Sequence, residues 1–509
     1  MKPISYTILF CFFSFSVINA QVLDSSYGTN GKTLATYNGE FEEVNSALLQ
    51  PDGKLLMGGY NYDEFFYFPQ INIARFNPDG EPDTGFGLNG FKTISGSPFG
   101  GSEYGGYLAL QPDNKIVGLG TDFDRDDLVR DQIVLFRLKS NGDYDSSFGI
   151  NGKSYTNFGN FSNIAGALLL KPDGKIVVAG NLPQNHKGAK SVELAQFLSN
   201  GKLDSGFGTH GIVENGTSHQ LQGVALALLP DNKILSGFLY VDPNGGGYKN
   251  CLIKYNANGT IDSSFGTKGV VLNNNSTSSS GKMSLAIQVD GKIIEYIVGS
   301  PLTNSIYRYN ANGKPDNTFG INGMISTSYF PFSLCVILDK SQRILINQYP
   351  FSAARYLHDG TIDSSFGING KISTDFSDII PGSYAVCEQL VLQPNSKIIL
   401  AGYVDEANGL QTFGAARFKP VTAPEAKSAS SLIIALYPNP ATSTLHIKGL
   451  DANSKYSLSI IDAQGNIKAL KQVSNTSTCN WNIQNLNAGS YYLNVTSGSL
   501  ISTSQFFKQ

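Results

Sequence analysis

The stretch Asp145-Ser146-Ser147-Phe148-Gly149-Ile150-Asn151-Gly152 decides the fold of this chain, because it does not stand alone. Its pattern, Asp-x-x-Phe/Tyr-Gly-x-x-Gly, begins at Asp24, Asp83, Asp145, Asp204, Asp262, Asp316 and Asp363, at spacings of 59, 62, 59, 58, 54 and 47 residues. A recurring period of this size marks a repeat architecture and outranks any local reading.

Working outward, a second mark falls between the copies: an apolar run, a tight turn, then another apolar run. It is clearest from Leu48 to Gly59 around Pro51-Asp52-Gly53-Lys54, recurs around Pro112, Pro172 and Pro230, and weakens at Asp290-Gly291-Lys292, Ser341-Gln342-Arg343 and Pro394-Asn395-Ser396-Lys397. A third runs from Ile73 to Gly80 and returns at Ile253 to Gly259, Tyr307 to Gly313 and Ala354 to Gly360. Each apolar segment stopping at Asn/Asp-Gly reads as a strand entering a tight turn whose positive φ glycine accepts. A short fourth strand follows each Phe-Gly-x-x-Gly, as at Lys32 to Tyr37 and Lys371 to Thr374.

Four antiparallel strands per unit, repeated seven times, suit radial blades around a channel, which protect their edges better than an open solenoid does. The chain ends favour the ring. The first mark and the strand Lys32 to Tyr37 lack three preceding strands, whereas the last unit ends with Phe413 to Phe418 and lacks its fourth. The expected fold is therefore all-β: a seven-bladed β-propeller closed by the N-terminal strand, followed by a small β-sandwich. The Asp-Ser-Ser-Phe-Gly and Leu-Gln-Pro-Asp-Gly-Lys marks resemble the bacterial delta-60 repeat proteins over about residues 22 to 420. That resemblance implies a β-propeller and supplies no catalytic residue.

Composition agrees with this. In 509 residues there are 55 Gly, 25 Tyr and 31 Phe but only 15% charged residues, a turn-rich and aromatic-rich profile unlike that of helical proteins. With 37 basic against 40 acidic residues, the chain has no field that would draw nucleic acid. Residues 1–20 read as a signal peptide: Lys2, an apolar core from Ile8 to Ile18, and a small residue, Ala20, at the cut. That core is shorter than the ~20 residues needed to cross a bilayer, so no transmembrane helix is expected in the mature chain. Cys251, Cys335, Cys387 and Cys479 are too sparse for a disulfide framework and read as buried hydrophobes, with a single disulfide as the lesser alternative.

The propeller is assigned to 21–420, a polar linker to 421–432, and a separate module to 433–509. The module opens with Tyr437-Pro438-Asn439-Pro440 and carries a hairpin turn from Asp462 to Gly465, then Gly489 before Tyr491. It resembles the type A C-terminal sorting domain of type IX secretion in Bacteroidetes. The resemblance implies export across the outer membrane with the secretion machinery as partner, and a secreted or surface-attached product. The tail Phe506-Phe507-Lys508-Gln509 departs from the pattern, with one lysine where two often stand.

The repeated Asp, Phe and Gly read as turn chemistry and packing. Variation collects on the opposite, loop face, where Tyr60, Tyr62, Phe65, Phe66, Tyr67 and Phe68 form an aromatic cluster suited to a sugar ring or a protein partner. Asp122, Asp124 and Asp126 space like the start of a calcium loop, but Asp127 and Ile133 stand where that loop needs Gly and Glu. Five scattered His build no catalytic or metal motif, and no cofactor is implied. The expected function is non-catalytic binding through the loop face. The alternative is a polysaccharide lyase or glycosidase whose carboxylates, among Glu43, Glu103 and Asp378, meet at the channel.

Overall fold

The computed structural model describes residues 22–35, 41–62, 69–94, 102–123, 132–156, 164–181, 191–215, 221–241, 248–277, 282–298, 304–327, 334–407, 409–420, 434–462, 467–497 and 500–509. The signal segment, the linker, and Phe65 to Phe68, Asp124, Asp126 and Gly465 lie outside them. The chain divides into two compact units, 1–421 and 422–509.

Among the described residues the first unit contains seven four-stranded antiparallel sheets and no helix. Six are consecutive meanders. The seventh is assembled from both chain ends: Lys32–Ala35 pairs with Gln411–Phe418, in the register Lys32 to Ala416 and Ala35 to Phe413. The inner strands are Phe41–Leu49, Ser102–Leu110, Ile164–Leu170, Leu221–Leu228, Met283–Ile287, Val336–Leu338 and Tyr384–Leu392. Each packs beside the next, and Tyr384–Leu392 returns to Phe41–Leu49, so the ring is closed.

The core lies between blades. Leu55 and Met57 pack with Ile399 and Phe413 of blade 7, while Leu56, on the opposite face of the same strand, packs with Ile116 and Phe136 of blade 2. Burial on both faces explains why the middle strands are near-continuous apolar runs; Gln132–Leu138 is buried at every position.

The repeated aspartate staples each blade. In blade 1, Asp83 Oδ1 accepts the Gly85 N–H at 3.1 Å, and its Oδ2 takes Arg75 Nε at 2.7 Å and the Lys54 ammonium at 2.8 Å. Equivalent pairs converge on Asp145, Asp316, Asp363 and Asp24. The guanidinium also lies over the aromatic ring of its own motif, 4.4 Å from Phe86 for Arg75 and from Tyr27 for Arg417.

That ring then plugs the following blade. Gly142, at φ 90°, lies so close to Phe86 that a Cβ there would sit 3.0 Å from the ring, and Gly87 N–H donates to Asn141 O at 3.0 Å. The same amide bond links blades 2 to 3, 3 to 4, 4 to 5, 5 to 6 and, through Gly28 and Asp79, 7 to 1. The reading of the repeated Asp as turn chemistry and of Phe as packing did not include the Lys and Arg partners.

The second unit has sheets of three and four strands around Leu445, Tyr456, Leu458, Trp481, Leu493 and Phe506. Its strand Ile467–Ser474 was not expected from the sequence. Cys251, Cys335, Cys387 and Cys479 are buried, and none of the four is in a disulfide.

Candidate functional site

The inner strands are interrupted at matching places. Bulges fall at Asn45 in blade 1, Gly106 in blade 2, Gly166 in blade 3 and Glu388 in blade 7, where one residue has no cross-strand partner and is re-aimed. Side chains at or beside two of these bulges connect blades: Gln389 Nε2 donates to Asn45 O at 3.2 Å, and Asn45 Nδ2 to Gly105 O at 2.7 Å.

Glu388 is buried, and its Oε2 accepts the Val44 N–H of blade 1 at 2.8 Å. Burial pushes its carboxyl up to about 8, with Lys282 and the Val44 amide opposing that rise and the Glu43 charge adding to it. Glu43, one residue before Val44, accepts the Tyr60 O–H at 2.6 Å. Burial, aided by Glu43 and Glu388, also pushes the Tyr107 phenol up to about 12. Inner-strand geometry thus brings two carboxyl groups, several tyrosines and a lysine within electrostatic reach of one another.

Tyr60 is half-buried and tied to this group, and Tyr62 ends the strand Leu55–Tyr62. Asp122 is fully buried on the strand Ile116–Phe123, and the described residues contain no group of three His, Cys, Asp or Glu able to hold a metal. Asp378 lies away from the inner strands, 2.5 Å from Lys32 on the outer strand of blade 7. The carboxylate that joins Glu43 is Glu388, which sequence reading missed; its one sequence signal is an acid inside the apolar run Ala385 to Leu392.

In the second unit the Tyr437-Pro438-Asn439-Pro440 opening is pinned to the last strand. Asn439 Oδ1 accepts the Phe507 N–H at 2.8 Å, Ala441 N–H donates to Phe507 O at 2.8 Å, and Tyr437 stacks on His446 with ring centres 5.1 Å apart. Asp462 pairs with Lys468 at 2.9 Å, Gly489 begins the strand Gly489–Ser497, and Tyr491 stacks on Phe506 with ring centres 5.7 Å apart.

These features define an all-β repeat protein: a seven-bladed propeller followed by an export sandwich. Residues 435–509 are a secretion system C-terminal sorting domain, of the type IX kind, which marks the chain for the cell surface or the exterior and implies contact with the secretion machinery. The repeat region carries the domain of unknown function DUF5122, a beta-propeller, at residues 50–86, 171–207, 229–265 and 288–319. No helix among the described residues is long and apolar enough to cross a membrane. No curated protein matches the chain. Among solved structures, PorZ, a surface component of the type IX secretion system of Porphyromonas gingivalis, is 13% identical, with 92% of this chain and 59% of that chain covered and a TM-score of 0.37. The chain therefore spans well under two thirds of PorZ. A Dyadobacter fermentans protein of unknown function is 11% identical over 77% of this chain and 98% of that one, with a TM-score of 0.39. A Penicillium chrysogenum α-L-arabinanase solved with arabinobiose is 10% identical over 80% and 98%, with a TM-score of 0.40. Likenesses of this degree carry no inference about function.

Proposed function

We propose that this chain is an exported, non-catalytic propeller that binds a carbohydrate or protein through its loop face, entering the export route by cleavage after Ala20. One observation carries this reading. The repeated Asp, Lys, Arg and Phe of the turn face are engaged in holding blades together, as Lys54, Asp83, Arg75 and Phe86 are, which leaves the loops at the other end of the blades, whose sequences do not repeat, for a ligand; Tyr60 begins the aromatic run of one of them in the sequence. A half-buried tyrosine anchored by Glu43 supplies a rigid apolar surface at low entropic cost, as aromatic anchors do at binding surfaces.

The nearness of Glu43 to Glu388, whose carboxyl burial pushes up to about 8, supports a second reading, a glycosidase or lyase site, because acid chemistry needs a carboxyl that keeps its proton beside a second carboxyl. A glycan array run beside a reducing-sugar assay separates the two. Binding without product, weakened by Tyr60→Ala, is the expected result; product release abolished by Glu388→Gln would overturn it. For the export route, a chain lacking 433–509 is expected to stay in the periplasm, and its arrival at the surface would refute that role.

A further inference from the structure

The two outer faces of the sorting module's sandwich are unlike. When an antiparallel sheet lays one face on the core, alternate residues point to water and the other face is polar. The three-stranded sheet follows this rule. Leu445, Ile447, Cys479 and Trp481 turn into the core, which leaves Thr444, His446, Lys448, Thr478, Asn480 and Asn482 outside. Tyr437, on the same side, is stacked on His446 and has the Lys448 ammonium 5.1 Å from its ring centre.

The four-stranded sheet breaks the rule. Leu458 and Ile460 of the strand Lys455–Asp462 and Tyr491 and Leu493 of Gly489–Ser497 are buried, so Ile461 and Tyr492 point outward. Strand pairing places Ile461 opposite both Ile467 and Tyr492, giving an unbroken apolar row across three strands. Leu470, opposite Ser459, extends it along the edge strand, and Phe507, opposite Ser490, lies diagonal to Tyr492. Ile467, Leu470, Tyr492 and Phe507 are 59%, 68%, 38% and 47% exposed. Apolar residues exposed singly need no explanation, whereas a contiguous group of them marks an interaction surface.

Charge says what kind of surface meets it. Residues 434–509 hold five lysines against two aspartates and no glutamate, and Lys455, Lys468, Lys471 and Lys508 stand on the strands of this sheet. Among the described residues, only Lys468 of these is paired with a carboxylate, Asp462 at 2.9 Å. We propose that the type IX secretion machinery holds the module by this face, through a protein surface that is apolar at its centre and rimmed by carboxylates. The proposal rests on the export route argued above and on the sorting role of residues 435–509. Tyr492 and the aliphatic row supply the desolvated centre of the contact, and the lysines orient the approach.

The test is fractionation of cells that carry a type IX system and express the full chain. The triple variant Ile467→Thr/Leu470→Thr/Tyr492→Thr keeps strand-forming residues and strips the face. Its surface-exposed fraction is expected to fall about tenfold, with accumulation in the periplasm, while its melting temperature stays at the parent's. Asn482→Thr, on the polar face, is expected to be exported as the parent is. Leu470→Glu should be retained more than Leu470→Lys, because it opposes the carboxylate rim. If the triple variant melts early, these two single changes at an exposed edge position carry the test. Parental export of the triple variant or of Leu470→Glu, with the chain lacking 433–509 still held in the periplasm, overturns the docking face and leaves the sorting role standing. Arrival of the truncated chain at the surface refutes the sorting role itself. Stronger retention of Leu470→Lys than of Leu470→Glu overturns the acidic rim. A parent that sediments as a dimer and a triple variant that sediments as a monomer would assign the face to a second copy and overturn the proposal.

Discussion

Arg417 Nε donates to Asp24 Oδ2 at 2.9 Å, joining residues 393 positions apart and locking the last described strand of the propeller to the first repeat mark. Lys397 reaches the same oxygen at 2.5 Å, and Arg417 Nη1 continues to Pro78 O of blade 1 at 2.5 Å. The contact therefore ties both chain ends to each other and to the next blade. Asp24→Ala leaves a guanidinium that is 6% exposed without its carboxylate. Breaking a buried pair from one side costs about 3–5 kcal/mol. The expected outcome in denaturant unfolding is a loss of that order, with amide exchange in Lys32–Ala35 rising before exchange elsewhere. Equal exchange in all seven outer strands would show that the closure is not the weak joint.

Blade 3 solves the staple differently, and the difference is testable as a swap. Gln196 stands where blades 1, 2, 5, 6 and 7 have arginine and blade 4 has Lys254, and Lys171 stands where blades 1, 2, 5 and 7 have glutamine. Lys171 Nζ donates to Gln196 Oε1 at 3.1 Å and to Ala257 O of blade 4 at 3.2 Å, replacing the arginine bond to the next turn. Lys171→Gln is expected to cost about 1–3 kcal/mol by leaving those acceptors unpaired. Gln196→Arg alone places a second cation beside the ammonium and also destabilises. The double variant restores the pattern of blade 2 and should recover most of both losses, a coupling that a double-mutant cycle reads directly. Additive losses would disprove the equivalence.

Acid and base act on different parts of the ring. Burial opposes ionisation of Asp24, but hydrogen bonds from Lys397 and Ser26 and the Arg417 charge outweigh it and hold the carboxyl well below its usual range. A depressed carboxyl contributes stability above its unfolded value of 3.8, and that stability is lost as pH falls toward the folded value. Glu295 and Glu388 behave oppositely: burial raises them from 4.5 to about 7 and about 8. Over that interval the unfolded chain releases protons that the folded chain retains, so stability falls as pH rises. Unfolding free energy is therefore expected to peak near pH 4–5, at the boundary between the two windows. Glu388→Gln keeps an acceptor for the Val44 N–H and should match the parent at pH 4 while exceeding it at pH 8 by a few kcal/mol, at about 1.4 kcal/mol per pKa unit. Unchanged pH curves would show that Glu388 ionises freely.

What was legible in the sequence was whatever recurs locally. Asp83, Phe86 and Gly87 lie within five residues of one another, so their turn could be read from one copy and confirmed by six more. Ring closure was legible because Lys32–Ala35 and Gln411–Phe418 are two incomplete parts of one unit. Arg75 was not, since it lies inside the apolar run Ile71 to Phe76 and its role depends on the turn carrying Asp83 folding back onto it. Glu388 was hidden for a different reason: the amide it caps, Val44, is 344 residues away. The strand Ile467–Ser474 was missed because it lies at a sheet edge, where Lys468 and Lys471 guard an exposed strand and blur its alternation.

Asn439 anchors the C-terminal strand of the sorting module, and removing its side chain tests whether the Tyr-Pro-Asn-Pro opening is structural. Its Oδ1 accepts the Phe507 N–H at 2.8 Å, while the flanking bonds, Ala441 N–H to Phe507 O at 2.8 Å and Gln509 N–H to Ala441 O at 2.9 Å, use main-chain atoms alone. Asn439→Ala thus removes the side-chain bond to the Phe507 amide and leaves the strand Leu500–Lys508 paired on its other side with Gly489–Ser497. A single hydrogen bond contributes about 0.5–1.5 kcal/mol, so amide exchange at Phe507 should rise by up to about tenfold while Tyr456 and Leu458 in the module core stay protected. If surface export falls in parallel, the machinery reads a C-terminal strand held in this pose. If exchange rises and export does not change, the opening serves the fold of the module and recognition lies elsewhere on it.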